Sequence, residues 1–337
     1  MIQVINVSKS FLVKTTSSHA ASGRIVQAVR DVSLSWNKGE FFAIVGESGC
    51  GKTTLGRLLA GHLLPTGGEI QYNGVSMSTT KRPHHRHLAR LVQLIPQDPY
   101  AALNPVRKIR GLMRDPITYH RIANNRQADE LAENLLQMVG LSAKDVIGKY
   151  PHQLSGGQRQ RLVIARALTV EPQYLIADEA VSMVDVSLRI GIMDSLKEIS
   201  RQRQLGLLFI THDFRVARYI AQGGSIAVMY LGQIVEQGPT EEILGAPLHP
   251  YTQSLISAVP ILEGVEARNQ TVVPSRYEIS TQNLAQGCSF ANRCPFADQL
   301  CKNKAPSLLP STSPHHLVAC HHAEPRELVV DVAEPAS

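Results

Sequence analysis

The residues best able to do chemistry in this chain stand in four short runs. In "GESGCGKT", residues 46–53, Gly46, Gly49 and Gly51 are spaced so that backbone N–H groups can converge on phosphate oxygens without side-chain clash. Glu47, Ser48 and Cys50 complete the loop. Lys52 brings a point charge to β and γ phosphates, Thr53 offers a hydroxyl to Mg²⁺, and Thr54 continues into a helix. The spacing is that of the Walker A phosphate loop, and an apolar strand precedes it, as the motif requires. In "DEAVSMVD", residues 178–185, two adjacent acids end an apolar run. Asp178 is placed to hold the metal through water and Glu179 to polarise an attacking water, with a third acid, Asp185, close behind. In "LSGGQ", Leu154, Ser155, Gly156, Gly157 and Gln158 open a helix whose amino terminus is a second anion site. One chain needs only one such site for its phosphates, so the second makes sense if it serves another chain's nucleotide. The fourth run is a set of cysteines, Cys288, Cys294, Cys301 and Cys320, separated by five, six and eighteen residues.

The elements that must position these groups alternate between apolar strands and helical patterns. Strands are expected at 41–45, 91–95, 174–178 and 206–210, and helices at 52–62 and 186–203. That alternation predicts an α/β fold with a mostly parallel core sheet. Residues 1–45 read as short strands around a Ser/Ala/Gly loop at 17–24, an N-terminal antiparallel β subdomain. Residues 107–170 carry helical periodicity, so an inserted helical lobe spans about 98–170. Pro247, Pro250, Pro260 and Pro274 mark a linker, dividing a cassette at 1–245 from a C-terminal extension at 246–337 that carries the cysteines.

Composition narrows the classes. The chain has 337 residues with a net charge of +6, spread along its length. With one tryptophan, Trp36, and few aromatics, stacking on single-stranded nucleic acid is poorly supported, and no nucleic-acid partner is expected. No apolar run approaches the roughly eighteen residues of a membrane helix, and the alternating start "MIQVINVSKSF" lacks a signal-peptide core. A soluble, cytoplasmic chain is the expectation. In a reducing compartment four crowded cysteines point to a metal or an iron–sulfur centre more than to disulfides.

Taken in order, the motifs resemble those of the ATP-binding cassette (ABC) ATPases, phosphate-loop NTPases in which two cassettes close head to tail around two ATP molecules. The resemblance implies that "LSGGQ" caps the partner's γ-phosphate and that Asp185 crosses the interface. Gln97, in "LIPQDP", would reach the Mg²⁺ beside Thr53 and Asp178, and His212, in "LLFITHD", would contact the γ-phosphate. Phe11 stands where an aromatic stacks on adenine, though an ordinary core Phe fits equally. Ala180, Val181, Met183 and Val184 depart from the family's usual residues after the catalytic acid, which implies a retuned interface. The implied activity is ATP hydrolysis in an importer for peptides or similar solutes. It implies a second, identical or related, ABC ATPase, two transmembrane permease subunits and an extracytoplasmic solute-binding protein, at the cytoplasmic face of the inner membrane. The alternative is a soluble ABC ATPase acting on DNA or ribosomes, but such chains usually carry two cassettes or long heptad repeats, absent here.

"HPYTQSLISAVP", residues 249–260, and "GCSFANRCPFADQLC", residues 287–301, resemble the tail of ATPases of oligopeptide and dipeptide importers. In some of these, four such cysteines carry a 4Fe–4S cluster. Zn²⁺ also suits four thiolates, and free thiols remain open. "KRPHHRHLAR", residues 81–90, reads as a solvated face with any helix interrupted at Pro83, and Cys50 as a small filler. "QDPYAALNP", residues 97–105, is expected to expose Tyr100, Ala101, Ala102 and Leu103 in a loop suited to receive a membrane subunit.

Overall fold

A computed structural model describes residues 1–13, 24–76, 82–257, 271–273, 286–311, 313–326 and 328–330. Much of the expected loop at 17–24, together with Pro260 and Pro274, lies outside them. The N-terminal sheet is antiparallel: β1 (Ile2–Val13) lies between β2 (Arg24–Trp36) and β4 (Gly67–Tyr72), with β5 (Val75–Ser76) at the edge. Its inner face, with Ile2, Val4, Val29, Val32 and Trp36, packs against α1 (Lys52–Leu59) and one face of the main sheet.

The main sheet is built around β3 (Phe41–Val45). On one side it carries β8 (Gly206–Thr211), β7 (Tyr174–Asp178) and β6 (Val92–Ile95), all parallel, and on the other β9 (Ser225–Tyr230), also parallel. Strands β7 and β8 are buried throughout, which is why "YLIAD" and "GLLFIT" are apolar runs rather than alternating patterns. Beyond β9 the sheet turns antiparallel. Strand β10 (Gln233–Pro239) folds back on β9, and two strands from the C-terminal extension, β12 (Leu309–Pro310) and β13 (Leu317–Val318), extend it. The short strands β11 (Thr271–Val273) and β14 (Leu328–Val330) pair in parallel apart from it.

The helical lobe holds α3 (Pro99–Ala102), α4 (Ile109–Tyr119), α5 (Asn125–Met138), α6 (Ala143–Val146) and α7 (Gly156–Leu168). Its core, with Ile109, Met113, Ile117, Leu135 and Leu162, runs continuously into the other face of the main sheet. Helices α8 (Val186–Gln202), α9 (Phe214–Ile220), α10 (Thr240–Gly245), α11 (Pro250–Ser257) and α12 (Gln299–Asn303) follow.

Three expectations fail locally. The first helix stops at Leu59 rather than 62, because Gly61 takes a left-handed φ of 72° that ends it. Residues 82–91 form α2 (Arg82–Leu91) despite Pro83, which sits in the first turn where no intrahelical N–H is needed. Leu103 is not exposed: at 3% exposure it belongs to the lobe core, while Tyr100 and Ala101 face solvent. A four-residue helix, capped by the Asp98 carboxylate accepting from Tyr100 N at 2.8 Å, turns Leu103 inward.

Candidate functional site

The parallel strands end on one edge in register, Ile95 beside Ala177, Asp178 beside Ile210, and Val45 beside Thr211. The residues just past those ends therefore share one cleft, as expected at the carboxyl edge of an α/β sheet. Ser48, Gly49, Gly51, Lys52, Thr53, Thr54, Gln97, Glu179 and Ala28 of β2 line a cleft of about 270 Å³. Two glycines are required by geometry. A Cβ on Gly46 would run into the Met229 carbonyl. Gly51 holds φ 108° with the Ala28 carbonyl against the place a Cβ would take.

Lys52 is 5% exposed, and its Nζ donates to the Gly46 carbonyl at 2.7 Å and the Glu47 carbonyl at 2.9 Å. The loop's own oxygens thus hold the ammonium where phosphate oxygens would replace them. Cys50 is buried at 2% and fills the loop's underside, and burial pushes its thiol up, so it is a poor nucleophile. Asp178, at the end of β7, is 4% exposed and accepts from Thr53 Oγ1 at 3.1 Å. Burial raises its carboxyl, with the neighbouring Glu179 adding to the rise and the Thr53 hydrogen bond, Arg57 and Lys52 opposing it. A cation between Thr53 and Asp178 would supply the charge that this buried carboxylate lacks.

Glu179 sits at φ 46°, a left-handed conformation that costs a residue with a Cβ about 1–2 kcal/mol. Its N–H is tied to the Ile210 carbonyl at 2.9 Å, and its carbonyl accepts from Ser182 N and Oγ. That turn aims the carboxylate back over the cleft. Gln97 Nε2 donates to Glu179 Oε2 at 2.9 Å and His212 Nδ1 lies 3.3 Å from Oε1. The Glu179 side chain is 15% exposed and His212 is 55% exposed. The three groups predicted on separate strands are therefore brought together around one carboxylate.

The "LSGGQ" residues lie outside this cleft, at the start of α7. Ser155 and Gln158 form a reciprocal cap: Ser155 Oγ accepts from Gln158 N at 3.2 Å, and Gln158 Oε1 accepts from Ser155 N at 3.0 Å. The signature's last residue thus has a local job in the capping box, which reading it only as an anion site missed. Ser155 uses an oxygen lone pair in this cap and keeps its proton to donate. Leu154 and Gly157 are buried, with Leu188 3.2 Å from where a Gly157 Cβ would stand. Asp185, exposed at the N-cap of α8, makes no capping bond to its own helix. Of the altered turn residues, Ala180, Val181 and Val184 are buried and Met183 is 60% exposed. Phe11 lies near the end of β1, paired with Val26 and 37% exposed, with Lys9 Nζ 5.3 Å from its ring centre; it does not line the cleft.

The four tail cysteines carry free thiols. Burial raises all four; the charges of neighbouring cysteines add to the rise at Cys288, Cys294 and Cys320, the Asp298 carboxylate adds to it at Cys301, and Cys294 and Cys320 are pushed up to about 11. Cys288 N donates to the Cys301 carbonyl at 2.7 Å, which ties the turn at 288–294 to α12. Among the described residues, the one set of three potential ligand atoms within 4.8 Å of one another is Asp298, Cys301 and His322.

The match to known proteins covers both parts of the chain. Residues 29–182 fit the ABC transporter family, and residues 235–301 fit the family described as the C-terminal region of oligopeptide/dipeptide transporters. The chain is 40% identical over 324 residues to the oligopeptide transport ATP-binding protein AppF of Bacillus subtilis, covering 95% of this chain and 97% of that one. It is 37% identical over 308 residues to the dipeptide transport ATP-binding protein DppF of Escherichia coli, covering 91% and 90%. Among solved structures, a dimeric post-hydrolysis state of the ATP-binding cassette MJ0796 bound to ADP and Pi matches 71% of this chain and 99% of its own. Its TM-score is 0.62 at 26% identity.

Proposed function

Because the chain belongs to the ATP-binding subunits of oligopeptide and dipeptide ABC transporters, we propose that the cleft at 46–54 binds ATP and that Glu179 is the base of its hydrolysis. The protein is an ATPase that drives an importer of the peptide class. The observation that carries the site reading is the Glu179 carboxylate, held between Gln97 and His212 at the mouth of the phosphate loop.

The chain's own groups divide the work. The loop N–H groups and Lys52 orient the phosphates, with Lys52 exchanging two loop carbonyls for phosphate oxygens. Thr53, Gln97 and Asp178 hold Mg²⁺, which when bound offsets charge on the β and γ phosphates. Glu179 accepts a proton from the attacking water at a carboxylate oxygen, while Gln97 keeps the carboxylate in place with its amide N–H. His212 stands ready to donate to the γ-phosphate. Ser155, Gly156, Gly157 and Gln158 complete the site of a second cassette, and Asp185 contacts that partner. Phe11 supports adenine from the rim. Glu179→Gln tests the reading: ATP still binds, turnover falls by about 10²–10⁴, and the ATP-bound dimer accumulates. Near-normal hydrolysis by the pure variant would sink it.

Cassettes of this family dimerise and work with membrane permeases. Here the permease docks at a groove of about 400 Å³ between α3, α4, α7 and β6, lined by Gln93, Leu94, Ala102, Pro116, Val163 and Arg166. A permease fixes the chain to the cytoplasmic face of the inner membrane, and an extracytoplasmic solute-binding protein delivers the solute. In the extension at 246–337, Cys288, Cys294, Cys301 and Cys320 would hold a 4Fe–4S cluster, with Zn²⁺ the rival. The cluster's role is to clip the tail.

A further inference from the structure

The cleft explains why residue 47 has a backbone in the phosphate loop, but not why its side chain is a glutamate. All of Glu47's polar groups are occupied. Its carbonyl accepts from Lys52 Nζ at 2.9 Å. Its N–H donates to the Tyr251 hydroxyl at 2.9 Å. Its carboxylate takes both ends of the Arg293 guanidinium, Nη1 at 2.9 Å and Nη2 at 3.0 Å. Two of these partners come from the C-terminal extension, 204 and 246 residues away in sequence.

Those partners are themselves held rigidly. Tyr251 is fully buried and Phe290 is 1% exposed; with Tyr230 they form an aromatic cluster with ring centres 4.6 to 5.5 Å apart. The Arg293 side chain is 10% exposed and lies over the Phe290 and Tyr230 rings at 5.6 and 5.8 Å. Its backbone belongs to the turn between Cys288 and Cys294, where Arg293 N and Cys294 N both donate to the Phe290 carbonyl. The turn between Cys288 and Cys294 thus fixes a guanidinium, and the guanidinium fixes the residue whose carbonyl holds Lys52.

We propose that Arg293 and Tyr251 are positioning residues for ATP, through which the cysteine-bearing extension sets the nucleotide affinity of the phosphate loop. This rests on the phosphate-loop reading above. Removing Arg293 does two things with the same sign. It frees the loop at Glu47, and it leaves an unpaired carboxylate beside a triphosphate. Removing the Glu47 charge frees the loop but lifts the repulsion. The two residues must therefore be coupled, with Arg293→Ala the more harmful change and nearly silent once Glu47 is neutral.

The test is a double-mutant cycle on the full chain, read as ATP dissociation constants by calorimetry, with turnover at saturating ATP measured alongside. Arg293→Ala is expected to weaken ATP about tenfold, within the range of coupling for a close charge pair, while turnover at saturation stays within about twofold. In the Glu47→Gln background the same change should cost less than about twofold. Arg293→Lys, which keeps the charge and loses the fork, should fall between wild type and Arg293→Ala. It and Tyr251→Phe also carry the test if Arg293→Ala fails to fold. Unchanged affinity in folded Arg293 and Tyr251 variants, or effects of Arg293→Ala and Glu47→Gln that simply multiply, would overturn the proposal alone. A wild-type chain that binds no ATP would overturn the phosphate-loop reading and this proposal with it.

Discussion

Protonating His249 should unlatch the C-terminal extension, and the size of the effect follows from its surroundings. The imidazole is 1% exposed, and its Nδ1 accepts from Tyr251 N at 3.0 Å, so the native ring must be neutral. Burial lowers its pKa from 6.5 to about 4, with the nearby Glu236 carboxylate pulling the other way. The unfolded chain therefore binds more protons than the native chain between pH 6.5 and about 4. Stability present above that window is lost as pH falls through it. Complete protonation costs about 3 kcal/mol, and the part lost between pH 7.5 and 5 is about 2 kcal/mol. His249→Asn isolates the effect, because an asparagine oxygen can accept from the N–H two residues on and does not titrate. Unfolding free energies of both proteins in denaturant at the two pH values give the answer. Wild type should lose about 2 kcal/mol more than the variant on acidification; equal losses would refute the assignment of a neutral, desolvated imidazole.

Other outcomes follow from the same geometry. Lys52→Ala should bind ATP far more weakly by calorimetry, because the main cation on the phosphates is gone; unchanged affinity would count against the phosphate loop. Leu103→Asp should cost more than about 3 kcal/mol of stability in denaturant, since it buries an unpaired charge in the lobe core. Ala101→Asp, on the exposed side of α3, should leave basal ATPase intact and lower transport in vesicles carrying the permeases; normal transport would remove α3 from the docking surface. Protein purified without air should hold about four irons per chain, and Cys294→Ser should lose them, whereas zinc without iron would reassign the site.

The groups that could be read from sequence are those whose signal is local. The phosphate loop, the Asp178–Glu179 pair and the signature each lie within eight residues and follow or open an element with a clear apolar period. Parallel register then did the rest, since strands read only as apolar runs bring Gln97, Glu179 and His212 to one edge. Leu103 misled because its direction depends on a single capped turn, which apolarity alone does not encode. Strands β9 and β10 went unnoticed although "SIAVMY" and "QIVEQGP" flank a Leu231–Gly232 turn that marks a hairpin. The Arg293–Glu47 pair carries no local signal at all, because 246 residues separate its members and each sits in a motif with a reason of its own.

Joining the main sheet from the far end of the chain also sets a schedule for its assembly. Strand β10 receives its outer neighbour only when Leu317–Val318 has been made, and Glu47 meets Arg293 only after 246 further residues. At about 5–20 residues per second, synthesis leaves the phosphate loop without its clasp for roughly 10–50 s. Strand β10, complete at Pro239, then keeps an open edge with unpaired N–H and C=O groups until Val318 is made, a delay of about 4–16 s at the same rate; such an edge is the kind of surface that recruits a strand from another chain. A product truncated after α10 would stay in that condition permanently, so complete translation doubles as the step that shields the newborn cassette from aggregation.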